Sequence, residues 1–277
     1  MVIYDMKTSV VMPIHNEEHY LSYSLTPLLK ASVDEFIFVL DRCTDGSESV
    51  IHRFAIYRPQ CKIVHKTETR WLNSAAEAYD FGAQHASGDY VYFIDADVVI
   101  DLKIFDDKNW EKGNALRFRY YDYDLHGTRF KCTYEKVLLK ISEKLRLSTG
   151  HFATVIAFER SHWKKTRHEW PPEDMEGFRK NPKFVVKHIL MQEYKKSFIH
   201  IGTTNCLHLR PRLTKSQQEL QGIARYLLDD PIWRVVLHSV LYFKISTLIS
   251  FLYAKWGRYG DLKKWLRLIG ATVGFPR

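Results

Sequence analysis

Residues 90–97 read Tyr-Val-Tyr-Phe-Ile-Asp-Ala-Asp, an apolar run that ends in two acids with one alanine between them. A short apolar run of aromatic and β-branched residues is typical of a buried strand. In open α/β sheets, ligands bind at the carboxyl ends of such strands. Asp95 and Asp97 offer the oxygen ligands that Mg²⁺ or Mn²⁺ prefers, and diphosphate oxygens would complete the shell. A solvated acidic turn is the alternative interpretation of the two acids.

Strands and helices alternate on both sides of this segment. Strands are predicted at residues 8–14, 35–40, 61–65 and 89–94, and helices at 18–31, 49–57 and 74–86. Further along, strands are predicted at 115–123, 155–158 and 197–209, and helices at 134–146 and from 214 onward. The pattern predicts an α/β fold with a mostly parallel central sheet flanked by helices, followed by a C-terminal helical extension.

Composition narrows the class of protein. The chain has 277 residues, 45% of them hydrophobic, which is enough for one large domain or two fused halves. Its net charge of +9 fits solvated lysines, an anionic membrane surface or polyanionic ligands. Nucleic acid is not expected as a partner, because the basic residues are spread out and no nucleic-acid-binding motif is present. Four scattered cysteines and the lack of a leader-like start predict a cytoplasmic protein with free thiols.

Polar residues follow several of the predicted strands, as Asp95 and Asp97 do. His15, Asn16 and Glu17 follow the first strand, and the segment 41–47 (Asp-Arg-Cys-Thr-Asp-Gly-Ser) follows the second. Later in the chain, an acidic pair at 173–174 comes after a double proline, and a histidine at 208 lies in Leu-His-Leu-Arg-Pro. Carboxylates and an imidazole can hold a metal ion and accept or donate a proton, and a flexible turn can bring them together.

These motifs, in this order and spacing, resemble glycosyltransferase family 2 over about residues 8–212. Residues 10–18 (VVMPIHNEE) resemble the first strand and turn of the family, and 41–47 resemble its second loop. Residues 82–97 resemble the helix, strand and Asp-x-Asp turn that follow. The resemblance implies the GT-A fold, a Rossmann-like architecture. It also implies an inverting, metal-dependent hexosyltransferase that takes one sugar from a UDP or GDP donor.

The resemblance also implies roles for single residues. The implied metal site for Mn²⁺ or Mg²⁺ consists of Asp97, Asp95 and His208, and the implied donor site consists of Pro13, His15, Asn16, Glu17, Asp41, Asp95 and Ala96. Arg210 is placed to contact phosphate oxygens. Alternatives stay open for Asp41, which also suits a helix cap or turn, and for His208, which also suits an ordinary strand histidine.

The implied general base is Asp174, with Glu173 beside it, and the acceptor loop contains Gly150 and His151. The alternative for the acidic pair is that it only begins a helix, where acids are favoured.

Two features depart from the family pattern. Residues 73–81 lack the expected glycines and basic residue, so Arg70 or Lys66 is the candidate for the positive charge near the diphosphate. The Gln-x-x-Arg-Trp signature of processive members is absent, which favours transfer of a single sugar over polymer synthesis.

The sequence suggests three regions: a nucleotide-sugar-binding half at 1–112, an acceptor-binding and catalytic half at 113–212, and a helical extension at 213–277. Residues 232–268 mix apolar residues, tryptophan and basic residues. Two interpretations stay open: contact with a membrane surface, or packing on the core or in a homodimer. Membrane contact would make the chain a peripheral protein on the inner face of the membrane. It would also favour a lipid-linked acceptor over a free sugar or glycan.

Two rival functions use similar scaffolds. A sugar nucleotidyltransferase normally carries a Gly-x-Gly-x-x-Arg loop after its first strand, where this chain has residues 13–17 (PIHNE). A non-catalytic nucleotide or carbohydrate binder would have no need of Asp97, Asp174 and His208 together.

Overall fold

The computed structural model describes residues 6–68, 74–112, 115–122, 155–161, 198–209, 222, 225–226, 231–241 and 244–258. The chain divides into two compact units. The first contains residues 1–127, 152–169 and 197–210, and the second contains 128–151, 170–196 and 211–277. The three functional regions predicted from the sequence stay a prediction.

The first unit is built on one sheet. Its strands are β1 (Thr8–Ile14), β2 (Glu35–Asp41), β3 (Cys61–Lys66), β4 (Tyr90–Ile94), β5 (Val98–Val99), β6 (Ala115–Asp122), β7 (Val155–Glu159) and β8 (Phe198–His208). Three helices connect the first four strands: α1 (Glu18–Leu28), α2 (Ser47–Tyr57) and α3 (Ser74–His85). Short 3₁₀ helices follow at Leu102–Phe105 and Asp107–Lys112. The order across the sheet is β3-β2-β1-β4-β7-β6-β8-β5.

The sheet is mixed. Strands β3, β2, β1 and β4 run parallel to one another, and β6 pairs in parallel with β8. Strand β7 lies antiparallel to both β4 and β6, and β5 lies antiparallel to β8. Strands β6 and β8 therefore point the same way as the first four. The predicted α/β architecture is confirmed. The sequence pattern revealed neither the antiparallel direction of β7 nor the short strand β5.

Strand order reverses at β1. The chain moves outward from β1 to β2 and β3, and then crosses back to place β4 on the other side of β1. The loops after β1 and β4 consequently leave the sheet on opposite sides, and a crevice opens between them at the carboxyl ends. Residues 15–17 and 95–97 border this crevice.

The core explains the sequence pattern. Strand β2 is buried along its whole length, as expected for a central strand covered on both faces. Helix α3 lies very close to the sheet at Gly82, where an added Cβ would lie 2.4 Å from Val11 Cγ1 and 2.8 Å from Val39 Cγ2. Since both contacts are β-branched strand residues that cannot swing aside, glycine is required at this position.

Described parts of the second unit include helices α4 (Ile232–Leu241) and α5 (Ile245–Tyr253), with a π-type turn at Ala254–Arg258. Gly222 permits close backbone contact with α5, because a Cβ there would lie 2.1 Å from the Thr247 carbonyl oxygen. Among the helices that the structure describes, none has the length and apolar character needed to cross a bilayer.

A buried carboxylate joins the amino ends of the strands. Glu35 opens β2, and its oxygens accept hydrogen bonds from Ser9 Oγ at 2.5 Å, Lys62 Nζ at 2.7 Å and Gly88 N at 3.1 Å. Ser87 also donates to it through its backbone N–H and its hydroxyl. Although burial raises the pKa of Glu35, the hydrogen bonds from Lys62, Ser9 and Ser87 lower it more, to about 2.

Because this pKa is depressed below its ordinary value of 4.5, Glu35 stabilises the fold above that pH, and the contribution disappears as pH falls toward 2. We expect Glu35→Gln to lower the free energy of unfolding by about 2 kcal/mol at pH 7. The difference between the two proteins should shrink steadily between pH 4.5 and 2. Urea unfolding across this pH range measures it.

The matched control is Glu48→Gln, because Glu48 is about half exposed and pairs only loosely with His52 and His65. This change should alter the free energy of unfolding by less than about 0.5 kcal/mol at any pH. A Glu35→Gln difference that does not depend on pH would contradict the assignment.

Candidate functional site

The candidate site lies at the carboxyl edge of the sheet. Strands β1, β2, β3, β4 and β8 all point toward this edge, so their last residues and the loops after them share one side of the sheet. The topology therefore brings together polar residues that are up to two hundred positions apart in the chain.

Asp97 and His208 are neighbours across strands β5 and β8. Val98 pairs with His208 in the antiparallel ladder, and Leu209 N donates a hydrogen bond of 2.8 Å to the Asp97 carbonyl. The side chains meet as well, with His208 Nε2 at 3.4 Å from Asp97 Oδ2. The Tyr120 ring meets the His208 ring edge to face at 6.0 Å between centroids. Backbone pairing and ring packing thus fix this carboxylate beside this imidazole.

Asp95 is oriented by a buried tyrosine. The Tyr79 hydroxyl on α3 donates a short hydrogen bond to Asp95 Oδ1. Burial, together with the nearby carboxylates of Asp95 and Asp97, holds the pKa of Tyr79 well above its usual value. The phenol therefore keeps its proton and remains a donor throughout the physiological pH range. Ala96, between the two acids, is buried.

The predicted metal ligands are only partly assembled. Within the described ranges, no group of three or more His, Cys, Asp or Glu side chains is arranged to hold a metal ion. Asp97 and His208 are the two predicted ligands whose donor atoms approach each other, and Asp95 points at Tyr79 with one of its oxygens. The role of Asp95 as a ligand stays a prediction.

Asp41, at the end of β2, lies in a buried network of charges. Its Oδ1 accepts hydrogen bonds from Arg42 Nε at 2.9 Å and from Lys66 Nζ at 3.1 Å. Lys66 also lies 3.1 Å from Glu77 Oε2 on α3, and its side chain is only 4% exposed. Lys66, one of two candidates for the charge near a diphosphate, is therefore engaged by two carboxylates of the protein itself.

A different acid, Asp45, caps the amino ends of helices. Its two side-chain oxygens accept hydrogen bonds from the backbone N–H groups of Glu18, at 3.1 Å, and Ser47, at 3.0 Å. These are the first residues of α1 and α2, so one carboxylate serves the amino ends of two helices. The side chain of Asp41 instead accepts hydrogen bonds from Arg42 and Lys66.

Hydrogen bonds join the loops after β1 and β2, and the two loops together form one wall of the candidate site. His15 Nδ1 lies 2.6 Å from the Asp41 carbonyl oxygen, and Thr44 N donates to Asn16 Oδ1 at 2.7 Å. Glu17 N donates to Ser47 Oγ at 2.9 Å. Asn16 adopts the left-handed conformation, with φ of 55°, that Asn tolerates better than most residues. Pro13 lies within β1, where it pairs with Val39.

Six predicted site residues lie outside the described part of the chain: Arg70, Gly150, His151, Glu173, Asp174 and Arg210. Two residues that the sequence analysis did not single out contribute to the site, namely Tyr79 and Glu77. Both lie on α3, whose apolar, alanine-rich pattern predicts only that it packs on the sheet. The sequence did give one signal for Glu77, namely that it is an acidic residue on a helix predicted to pack against the core.

The network around Asp41 gives a stability prediction. Replacing Lys66 with methionine leaves the carboxylates of Asp41 and Glu77 buried without their shared cation. We expect a loss of about 3 kcal/mol in the free energy of unfolding. Lys62→Met is the matched control, because Lys62 lies on the same strand and pairs with a buried carboxylate but is 49% exposed. It should lose about 1 kcal/mol. Equal losses in urea unfolding at pH 7 would contradict the burial argument.

Comparison with known proteins adds to this geometry. The family model described as "Glycosyl transferase family 2" matches residues 9–104, which contain β1 to β4 and the Asp95–Asp97 turn. An uncharacterized glycosyltransferase of Haemophilus influenzae is 27% identical over 201 residues, which cover 70% of this chain and 79% of the relative. Glycosyltransferase GlyG of Streptococcus pneumoniae is 26% identical over 122 residues, or 42% of this chain and 40% of that protein.

Solved structures share the fold. The mannosyltransferase PcManGT of Pyrobaculum calidifontis, in complex with GDP-Man and Mn²⁺, superposes with a TM-score of 0.55 at 17% identity. That alignment covers 97% of this chain and 80% of the other. Residues 1–349 of S. aureus TarS, in complex with UDP-GlcNAc, give a TM-score of 0.52 at 15% identity, covering 96% and 79%. Both likenesses establish the GT-A architecture.

Proposed function

We propose that this chain is a glycosyltransferase of family 2 that transfers one hexose, with inversion, from a nucleoside-diphosphate sugar to a hydroxyl or lipid-phosphate acceptor. The observation that carries the proposal is the Asp97–His208 pair, held at 3.4 Å at the carboxyl edge of the sheet. It lies beside the Asp95–Asp97 turn, which borders the crevice where strand order reverses. Carboxylate, imidazole and crevice together suit a diphosphate bound through a divalent cation.

The donor nucleotide would lie against the wall formed by the loops after β1 and β2. This wall contains Pro13, His15, Asn16 and Glu17, with Asp41 behind it. Asp41 is suited to accept a hydrogen bond from a nucleobase N–H, and Arg42 and Lys66 place positive charge beside it. Relatives by fold bind UDP-GlcNAc and GDP-Man, so UDP and GDP sugars are the first donors to test.

The residues present fit a divalent cation. Two neighbouring ligands of an octahedral ion, each at about 2.1 Å, lie roughly 3 Å apart, close to the separation of Asp97 Oδ2 and His208 Nε2. Asp97 and His208 would hold Mn²⁺ or Mg²⁺, with Asp95 as the further candidate. When bound, the ion would neutralise negative charge that builds up on the departing diphosphate.

The first test combines donor identification with a variant of Asp97. UDP and GDP sugars are screened with Mn²⁺ by thermal shift. The true donor should raise the melting temperature of the protein, since a ligand that binds only the folded state stabilises it. We expect Asp97→Asn to abolish the Mn²⁺-dependent part of that shift and to lower kcat/KM for transfer by roughly 100-fold or more.

Asp89→Asn is the matched control, because Asp89 precedes the opposite end of β4 and is exposed. It should leave both the thermal shift and the rate unchanged. Wild-type turnover of Asp97→Asn would refute the assignment of Asp97 to the metal site.

The reaction itself is a displacement at the anomeric carbon. The acceptor oxygen forms a bond to that carbon from the face opposite the nucleotide, and the bond to the diphosphate oxygen breaks with its electron pair. The acceptor proton passes to a carboxylate, and we assign this role to Asp174 on the motif match, with Glu173 as its neighbour. Gly150 and His151 are proposed to contact the acceptor, and Arg70 and Arg210 the donor phosphates.

The base assignment gives a separate prediction. With a hydroxyl acceptor, Asp174→Asn should lower kcat by roughly 100-fold or more and leave the donor-induced thermal shift unchanged, because only proton removal is lost. Glu173→Gln is the matched control and should retain most of the activity. A phosphate acceptor is already ionised, so with such an acceptor the Asp174→Asn protein should stay active. Full activity of this variant toward a hydroxyl acceptor would contradict the assignment.

A further inference from the structure

The solvent-exposed side of helix α4 is apolar. All four of its exposed residues are apolar: Ile232, Trp233, Val236 and Val240. Ile232, Val236 and Val240 recur every four residues and Trp233 lies three residues before Val236, which places all four along one side of the helix. Val240, at 63% exposure, is as open to solvent as a surface lysine commonly is.

Helix α5 has the same organisation. Its exposed residues, Ile245, Ile249 and Tyr253, also recur every four positions, and Trp256 follows in the next turn at 77% exposure. Isolated exposed apolar residues are common in soluble proteins, but two consecutive helices whose exposed positions are all apolar are not.

The opposite sides of these helices carry the polar residues. Arg234, His238 and Ser239 on α4 are buried, as are Thr247 and Ser250 on α5. A helix in a water-soluble protein normally buries its apolar residues and exposes its polar ones. Here the buried sides mix these polar residues with apolar ones, Val235 and Phe251, while every exposed position within the two helices is apolar. The apolar stripes therefore fit a surface that removes them from water.

Charge indicates which surface this is. Residues 231–260 contain no acid, and their charged residues are Arg234, Lys244, Lys255 and Arg258. Lys255 is exposed directly beside Trp256. Arg234 is buried on the opposite side of α4, whereas Lys255 is exposed and Lys244 is half-buried. Two copies of the chain meeting through the same surface would bring these lysines toward each other. An anionic lipid surface would instead attract them, and tryptophan and tyrosine favour the interfacial layer of a bilayer.

We propose that the exposed stripes of α4 and α5 bind the surface of an anionic lipid bilayer. Helices of 10 and 9 residues are about 15 Å long, roughly half the thickness of the hydrocarbon core, so they would lie in the interface. Apolar side chains enter the acyl region while the lysines stay among the headgroups. This inference does not depend on the proposed transfer reaction.

The experiment is co-sedimentation of the full chain with phosphatidylcholine vesicles prepared with and without about 30% phosphatidylglycerol. We expect binding to the anionic vesicles, weaker binding to the neutral ones, and further weakening as salt is added. The triple variant Trp233→Ser, Ile249→Ser, Val240→Ser should reduce partitioning by roughly tenfold or more, since three apolar side chains are removed from the buried face.

A matched triple variant, Tyr23→Ser, Ile56→Ser, Tyr57→Ser, removes apolar residues that are 50%, 75% and 74% exposed on the first unit. It should partition as the wild type does. Thermal unfolding of both triple variants shows whether each remains folded, and the single change Lys255→Gln should weaken anionic binding without touching the apolar stripes.

Equal partitioning of the wild type and the α4–α5 triple variant would overturn the proposal. A second result would also overturn it: the wild-type chain binds neither kind of vesicle and sediments as a dimer, and the α4–α5 triple variant sediments as a monomer. That result would assign the same surface to a second copy. No nucleotide is present in these assays, so their failure would leave the transferase proposal intact.

Discussion

Strand β1 has β2 on one side and β4 on the other, and both neighbours run parallel to it. This reversal of strand order separates the loops after β1 and β4 and leaves a crevice between them at the carboxyl edge. The residues that border the crevice are those of the first motif, His15 to Glu17, and of the turn Asp95 to Asp97. The two segments proposed to carry most of the chemistry are thus placed by sheet topology.

Strand β2 has a buried carboxylate at each end, and the two ends differ in function. Glu35 and Asp41 each pair with a lysine from β3, Lys62 and Lys66 respectively. At the amino end, hydrogen bonds from several donors surround Glu35, so that end of the strand is closed and structural. At the carboxyl end, Asp41 accepts hydrogen bonds from the cations of Arg42 and Lys66, at the edge of the sheet where ligands bind in open α/β folds.

Local patterns were sufficient for the strands of the first half of the sheet. The apolar runs at 8–14 and 35–40 correspond to β1 and β2 almost residue for residue, because each is a continuous buried segment bounded by turn residues. Helix α1 ends at Leu28 rather than at the predicted residue 31, one residue after Pro27. These features depend on neighbours in the chain, and a sequence displays such neighbours directly.

The contacts that assemble the site depend on distant segments. Asp97 meets His208 because the two-residue strand β5 pairs with β8, and two valines are too short a run to predict a strand. The hydrogen bond between Tyr79 and Asp95 likewise requires the packing of α3 against β4. Motif resemblance predicted that Asp97 and His208 act together, whereas the partner of Asp95 had no sequence signal. Capping by Asp45, by contrast, could be predicted locally, because Gly46 and Ser47 directly after it form a turn.

The Asp97–His208 pair also constrains the charge of the proposed site. A divalent cation held by one carboxylate and one neutral imidazole keeps a net charge of about +1. A site with three carboxylates would have a net charge of about −1 and would repel a diphosphate. One carboxylate and one imidazole instead leave attraction for the negatively charged donor, with coordination positions for its oxygens. The hydrogen bond from Tyr79 acts in the same direction, because it draws part of the negative charge of Asp95 away from the site.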